Sequence, residues 1–172
     1  MKKTVFVALL FGSVAAAGLL QYCVKPPNYP DEPVIEFMGL SKNVMRQTPL
    51  GADTVLVMFN FTDGNGDLGS QNNEPNIFIE DGRDSFPKDP YAIPYIEPQG
   101  AGNGISGMIT IALPTTCCIY PDVNGIKFPP CDTTKNAPQS LDTVFYRIYI
   151  KDRAGNISNK ITTEPITLIC RQ

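Results

Sequence analysis

The chain of 172 residues contains no histidine and no tryptophan, and only 18% of it is charged. Without histidine there is no ordinary general base near neutral pH, no Ser-His triad, no Cys-His dyad and none of the usual histidine ligands of catalytic zinc. Long apolar helical periods are missing as well. Glycine (14) and proline (16) make up about 17% of the chain, above a background near 12%, which favours turns and short strands over long helices. The length suits one domain with one core.

The N-terminus reads as an export signal. Lys2 and Lys3 precede an uncharged, mostly apolar stretch from Thr4 to Leu20, with Cys23 three residues further on, so a basic n-region and an apolar h-region are both present. Gly12, Ser13 and Ala15 to Ala17 dilute the stretch, which is short for a permanent bilayer helix. Two cleavage sites compete, one at Ala15-Ala16-Ala17 and a lipoprotein-type site before Cys23, preceded by Leu20-Gln21-Tyr22. Cysteine parity favours the second. Of Cys23, Cys117, Cys118, Cys131 and Cys170, lipidation of Cys23 leaves four thiols that can pair in an oxidising compartment, whereas cleavage at the alanines leaves one over. Acyl chains on Cys23 would anchor the protein to a membrane without spanning it. The chain is thus divided into a signal peptide (1–22), a lipidated cysteine with a proline-rich tether (23–33) and a β-sandwich domain (34–172).

The residues after 22 carry 12 basic and 17 acidic side chains, a formal charge of −5. Lys42, Arg46, Arg83, Lys88, Lys127 and Lys151 are scattered singly, so no basic stripe exists for phosphate backbones and nucleic acid is excluded as a partner.

Pro26, Pro27, Pro30 and Pro33 favour extended polyproline geometry in the tether. Strands are then predicted at Val34 to Met38, Thr54 to Thr62, Asn76 to Glu80, Ile105 to Leu113, Thr143 to Lys151 and Pro165 to Ile169. In the second of these, Val55, Val57, Phe59 and Phe61 share one face and should form core. Six or seven short strands in this length predict an all-β fold, an immunoglobulin-like β-sandwich, rather than a closed barrel. Two connections exceed what hairpins need: 81–104, with Tyr91 and Tyr95 among four prolines, and 114–140, with three cysteines. Such loops bind something or require stapling. Adjacent Cys117 and Cys118 point to opposite sides of an extended chain, so each is expected to bond to Cys131 or Cys170, in either of two pairings. A tetrathiolate zinc site is the competing reading, disfavoured by the absence of Cys-x-x-Cys.

One constellation carries chemistry. From Asp63 the chain reads Asp-Gly-Asn-Gly-Asp-Leu-Gly-Ser-Gln-Asn-Asn-Glu. Oxygen-bearing side chains fall at positions 1, 3, 5 and 9, a carbonyl is available from Gly69 at 7, and Glu74 stands at 12, the ligand spacing of a calcium loop. Leu68 replaces the usual glycine at position 6 and a strand precedes the loop, so this is not an EF-hand. Asp81, Glu80 or Asp84 is an alternative closing carboxylate. The candidate calcium ligands are therefore Asp63, Asn65, Asp67, Gly69, Glu74 and Asp81. The competing reading is a plain turn, because Asp-Gly and Asn-Gly are turn dipeptides.

Three stretches carry a resemblance: Cys23 followed by Pro-Asn-Tyr-Pro-Asp-Glu-Pro-Val-Ile-Glu-Phe, then Phe-Asn-Phe-Thr-Asp-Gly-Asn-Gly-Asp-Leu-Gly, then Ile-Lys-Asp-Arg-Ala-Gly-Asn-Ile-Ser-Asn. Together they make the chain similar to uncharacterised lipoproteins of the Bacteroidota. The resemblance implies an immunoglobulin-like domain attached to the outer membrane, with Asp63, Asn65 and Asp67 in the acidic loop of that group, and it implies no reaction. Val24-Lys25-Pro26-Pro27 after the cysteine, in place of acidic residues, favours a periplasm-facing position over a surface-exposed one. Asp152-Arg153-Ala154-Gly155-Asn156 reads as a hairpin turn into Ile157 to Ile161, with Asp152 bonding its own loop amides.

The expected function is a non-catalytic, membrane-anchored binding or structural module, calcium-stabilised, whose partner is an envelope protein or glycan. Two alternatives compete. One is a hydrolase using paired carboxylates among Glu74, Glu80, Asp81 and Asp84. The other is glycan or peptide recognition by the Tyr91/Tyr95 loop.

Overall fold

The computed structural model describes residues 28–48, 51–97, 104–131 and 137–171. The signal peptide at 1–22, the lipidation site at Cys23 and the first half of the proline-rich tether lie outside the described residues. Among those described there is no helix, and so none long and apolar enough to cross a membrane.

The fold is all-β. Among the described residues there are nine strands: β1 (Val34–Leu40), β2 (Val44–Arg46), β3 (Thr54–Asp63), β4 (Ile77–Asp81), β5 (Ile105–Pro114), β6 (Leu141–Val144), β7 (Tyr146–Ile150), β8 (Ile161–Thr162) and β9 (Ile166–Ile169). They form three three-stranded sheets of order β1-β3-β5, β2-β9-β6 and β4-β7-β8. All pairings are antiparallel except β2 with β9. The arrangement is compatible with a β-sandwich.

Alternation explains the core. Along β3, Val55, Val57, Phe59 and Phe61 are buried while the residues between them are not, as the period of two requires. Ile77 and Ile79 of β4, Tyr146, Ile148 and Ile150 of β7, Ile111 and Leu113 of β5, and Ile166 and Leu168 of β9 meet that face in a single buried cluster. No single sheet could bury these side chains alone, so the three share one core.

Two strand predictions differ from the structure, and one strand, β2, is not among those predicted, each for an identifiable reason. The continuous strand predicted from Thr143 to Lys151 breaks at Phe145: β6 pairs with β9 while β7 pairs with β4 and β8, so the chain changes sheets there. Gly82 makes that crossing possible, because a Cβ on it would lie 2.1 Å from the Phe145 ring. The strand β2 has only three residues, too few for alternation to show, and is held by its parallel partner β9. The predicted strand at Ile157 to Ile161 reduces to one bridge, Lys151 with Ile157, before β8 begins.

The described part of the long segment 81–104, residues 81–97, runs along β4. Its bridges Glu80 with Pro87 and Ile77 with Tyr91 cover the edge of that strand, and Ser70 pairs with Pro94. Prolines cannot donate to a ladder, which limits this pairing to isolated bridges while still covering the edge. The edge of β1 is covered by a side chain: the Asn159 amide accepts from Ile35 N at 2.8 Å and donates to Ile35 O at 2.9 Å, standing in for a strand.

Of the two pairings left open, Cys117 joins Cys131 and Cys118 joins Cys170, with Cα separations of 4.5 and 5.9 Å. The first closes a local loop and the second ties that loop to the end of β9. Buried Gln47 joins the same region, accepting from Cys118 N at 2.9 Å and donating to Cys170 O at 2.6 Å.

A candidate cation site at one end of the core

Asp63 is the last residue of β3 and continues its inward alternation, Val55, Val57, Phe59, Phe61, Asp63, so the pleat carries a carboxylate into the end of the core. Asp152 repeats the device from another sheet. It follows β7 and continues Tyr146, Ile148, Ile150 with one exposed lysine between. Both side chains are almost fully buried, Asp63 at 0% and Asp152 at 5% exposure. Asp67, in the loop after β3, completes the group: carboxylate oxygens of Asp63, Asp67 and Asp152 lie within 4.8 Å of one another.

The loops are built to hold these groups in place. Asp67 N donates to Asp63 Oδ2 at 2.9 Å and to Asn65 Oδ1 at 3.2 Å, turning the chain back on itself. Gly69, at φ 82°, allows close approach of the 93–94 backbone, since a Cβ there would sit 2.0 Å from Pro94 O. In the other loop, Asp152 accepts from Asn156 N at 2.7 Å and from Asn156 Nδ2 at 2.8 Å, so it does bond its own loop amides. The two loops then join. Ala154 N donates to Asp67 Oδ2 at 2.9 Å, Arg153 N to Asp67 O at 3.2 Å, and Arg153 Nη1 to Leu68 O at 2.7 Å.

These bonds leave two oxygens without partners. Asp63 Oδ1 and Asp67 Oδ1 are buried and accept no hydrogen bond. Burial pushes the Asp63 carboxyl up to about 6, with the Asp67 and Asp152 charges adding to it. Burial, followed by the charge of Asp152, also raises Asp67. At the 4.8 Å limit each ionised pair repels by roughly 3 kcal/mol at an effective dielectric of 20. Three such pairs would rival the whole stability of a domain, about 5–15 kcal/mol. Arg153 offsets part of this, lowering both Asp63 and Asp67 by its charge. Three carboxylates and one guanidinium still leave two negative charges, which two protons or one divalent cation would balance. Hard oxygen donors of this kind suit calcium or magnesium and not a thiophilic metal.

The remaining sequence candidates fall elsewhere or have other partners. Asp81 ends β4, but β4 runs antiparallel to β7 and pairs Asp81 with Tyr146, six residues or about 20 Å of strand from Asp152. It is bound there by Arg83, with Nη2 at 2.7 Å from Oδ2 and Nε at 2.9 Å from Oδ1. Burial raises this carboxyl, but the hydrogen bonds and charge of Arg83 outweigh it and hold Asp81 below the usual range. A guanidinium thus takes the place assigned to a metal, and Asp81 is not part of the cluster. The Gly69 carbonyl accepts from Arg153 Nη1 at 3.2 Å. Asn65 is exposed and acts through its turn bond to Asp67. Glu74 is exposed and outside the carboxylate group, on the wall of a neighbouring groove.

The other carboxylates considered have local roles as well: Glu80 pairs with Lys160 at 2.9 Å, and Asp84 accepts from Phe86 N at 2.9 Å. Tyr91 donates its hydroxyl to Ala112 O at 2.6 Å and so serves to pin its loop to β5. Tyr95 carries the Arg153 guanidinium over its ring at 4.7 Å. Asp152 is the ligand candidate missing from the single-loop spacing. Its signal was the same inward alternation that buries Asp63. Comparison of the chain with protein-family models, curated proteins and solved structures found no match.

Proposed function

We propose that the chain is a non-catalytic module of the cell envelope, a lipid-anchored immunoglobulin-like domain whose distal loops are locked by one calcium ion between Asp63, Asp67 and Asp152. The observation that carries the cation is the pair of buried, unpartnered oxygens, Asp63 Oδ1 and Asp67 Oδ1, beside a third buried carboxylate. Calcium takes six to eight oxygens at 2.3–2.6 Å in flexible geometry. Two loops from different sheets supply that flexibility better than a rigid octahedron would. The role of the ion is structural: it neutralises the charge that otherwise drives the ends of β3 and β7 apart.

The anchor rests on the sequence. Lys2 and Lys3, the apolar stretch and Cys23 read as a lipoprotein signal; the resemblance to Bacteroidota lipoproteins supports the outer membrane, and Val24-Lys25-Pro26-Pro27 after the cysteine supports its periplasmic face. A non-catalytic reading is supported by Glu80 and Asp81 being held in ion pairs and Asp84 in a turn, which leaves no free carboxylate pair among them for acid–base work.

Equilibrium dialysis against calcium, with magnesium as competitor, tests the reading. One calcium per chain is expected, lost on Asp152→Asn. No binding at millimolar calcium would refute it.

A further inference from the structure

The outward face of the sheet β1-β3-β5 carries a pattern the fold does not require. The solvated face of an antiparallel sheet is ordinarily polar. Here its outward positions include Met38 of β1, Met58 of β3 and Met108 of β5; Met58 is half-buried, and Met38 and Met108 are 54% and 61% exposed. Four methionines follow Met1 in the chain. The fourth, Met45, lies in the core at 1% exposure, so the other three share one wet surface.

The register gathers them around Asn60. Asn60 lies directly opposite Met108, which sets their Cβ atoms about 4.5–5.5 Å apart. Met38 is the extra residue of a bulge, since the pairing of β1 with β3 shifts between Phe37 and Gly39, and a bulge re-aims a side chain. The Met38 sulfur accepts from Asn60 Nδ2 at 3.0 Å. Met58 stands two residues from Asn60 on the same face, opposite Gly39 of the bulge and diagonal to Met108. Its side chain leans toward β1, with its ε-methyl carbon 4.0 Å from where a Cβ on Gly39 would lie. Glu36, opposite Asn60, is the one charged side chain among the outward residues of these three strands.

Three thioethers beside one carboxylate specify an ion. Thioether sulfur is uncharged, soft and polarisable, and it selects monovalent copper over hard ions such as calcium and magnesium. We propose that Met38, Met58 and Met108 form a surface site for one cuprous ion, with Asn60 positioning the Met38 sulfur and Glu36 offsetting the charge of the metal. Each methionine turns about three rotatable bonds, so the sulfurs close on the ion above Asn60 without any movement of the strands. The site lies on the face of β3 opposite the one that carries Asp63, and it owes nothing to the carboxylate cluster. A docking face for an apolar partner would use the same surface, but such a partner needs area and not sulfur, and leucine would serve it equally.

NMR titration of the full-length protein in detergent, labelled at the methionine methyl groups, tests the proposal with cuprous ion stabilised by acetonitrile and kept free of oxygen. The signals of Met38, Met58 and Met108 should shift together and saturate at one copper per chain, while Met45 stays in place. Leucine is close to methionine in volume and is tolerated well in its stead, so Met38→Leu, Met58→Leu and Met108→Leu should keep the urea midpoint of wild type and each weaken copper at least tenfold. Glu36→Gln should weaken it by a smaller factor. Separate midpoints for the three methyl signals, wild-type affinity in the triple leucine variant, or no shift at millimolar copper would each overturn the site.

Discussion

Replacing Asp63 with asparagine should have opposite effects in chelator and in calcium. Without a cation the ionised Asp63 carboxylate is buried beside Asp67 and Asp152, and its pKa is raised from 3.8 to about 6. That gap corresponds to about 3 kcal/mol of destabilisation of the charged form. Asparagine removes the charge, keeps an oxygen to accept from Asp67 N, and turns an amide donor toward the neighbouring carboxylates. In chelator at pH 7 the variant should therefore be more stable than wild type, by up to about 3 kcal/mol, or several degrees in Tm for a domain of this size. In calcium at one thousand times the Kd the order reverses, because a ligand is lost in the variant while wild type gains about 4.1 kcal/mol. The pH dependence has a definite sign. A raised carboxyl binds a proton in the folded state before the unfolded state does, so chelated wild type gains about 1 kcal/mol between pH 7 and pH 5, and the gain continues toward 3.8. The difference between wild type and Asp63→Asn should shrink over that interval. Urea denaturation at pH 5 and 7, in chelator and in calcium, reads all four states. An Asp63→Asn protein less stable than wild type by the same amount in chelator and in calcium would refute the reasoning.

Other perturbations follow from the same geometry. Removing the Cys118–Cys170 bond, which closes 52 residues, should cost about 4 kcal/mol by loop entropy, against about 3 for Cys117–Cys131, which closes 14, and urea midpoints of the paired alanine variants check the order. Gly82→Ala forces a methyl group to 2.1 Å from Phe145 and should destabilise by about 1–3 kcal/mol, with the loss largely reversed in the double variant with Phe145→Ala. Arg83→Met leaves buried Asp81 with only the longer Lys88 contact at 3.6 Å in place of its bidentate partner and should destabilise by up to about 3–5 kcal/mol, read by thermal melting. Cys23→Ala should shift the protein from the membrane to the soluble envelope fraction on cell fractionation, with loss of the lipid mass from the mature chain.

Much of the fold was legible because alternation is a local signal. Val55, Val57, Phe59 and Phe61 announce the inner face of β3, and the same period carries one step further to Asp63. Asp152 stands in the same relation to Tyr146, Ile148 and Ile150, yet its Asp-Arg-Ala-Gly-Asn sequence also satisfies a turn. Nothing local shows that Ala154 and Asp67, 87 residues apart, will meet. The single-loop template drew its ligands from one segment and so enlisted Gly69 and Glu74, with Asp81 just beyond it as an alternative closing carboxylate, whereas the structure gathers carboxylates from the ends of two strands in different sheets. Asp81 obeys the inward rule too, but the antiparallel register of β4 and β7 sends it to the opposite end, where Arg83 meets it. Which cysteine pairs with which was equally invisible, since it depends on the path of β9.

The most direct measurement is a crystal structure grown in calcium, with anomalous diffraction data to identify the ion. The account predicts one calcium peak with Asp63 Oδ1, Asp67 Oδ1 and an Asp152 oxygen at 2.3–2.6 Å. A water molecule or the Arg153 guanidinium at that point, with the carboxylates protonated, would contradict it.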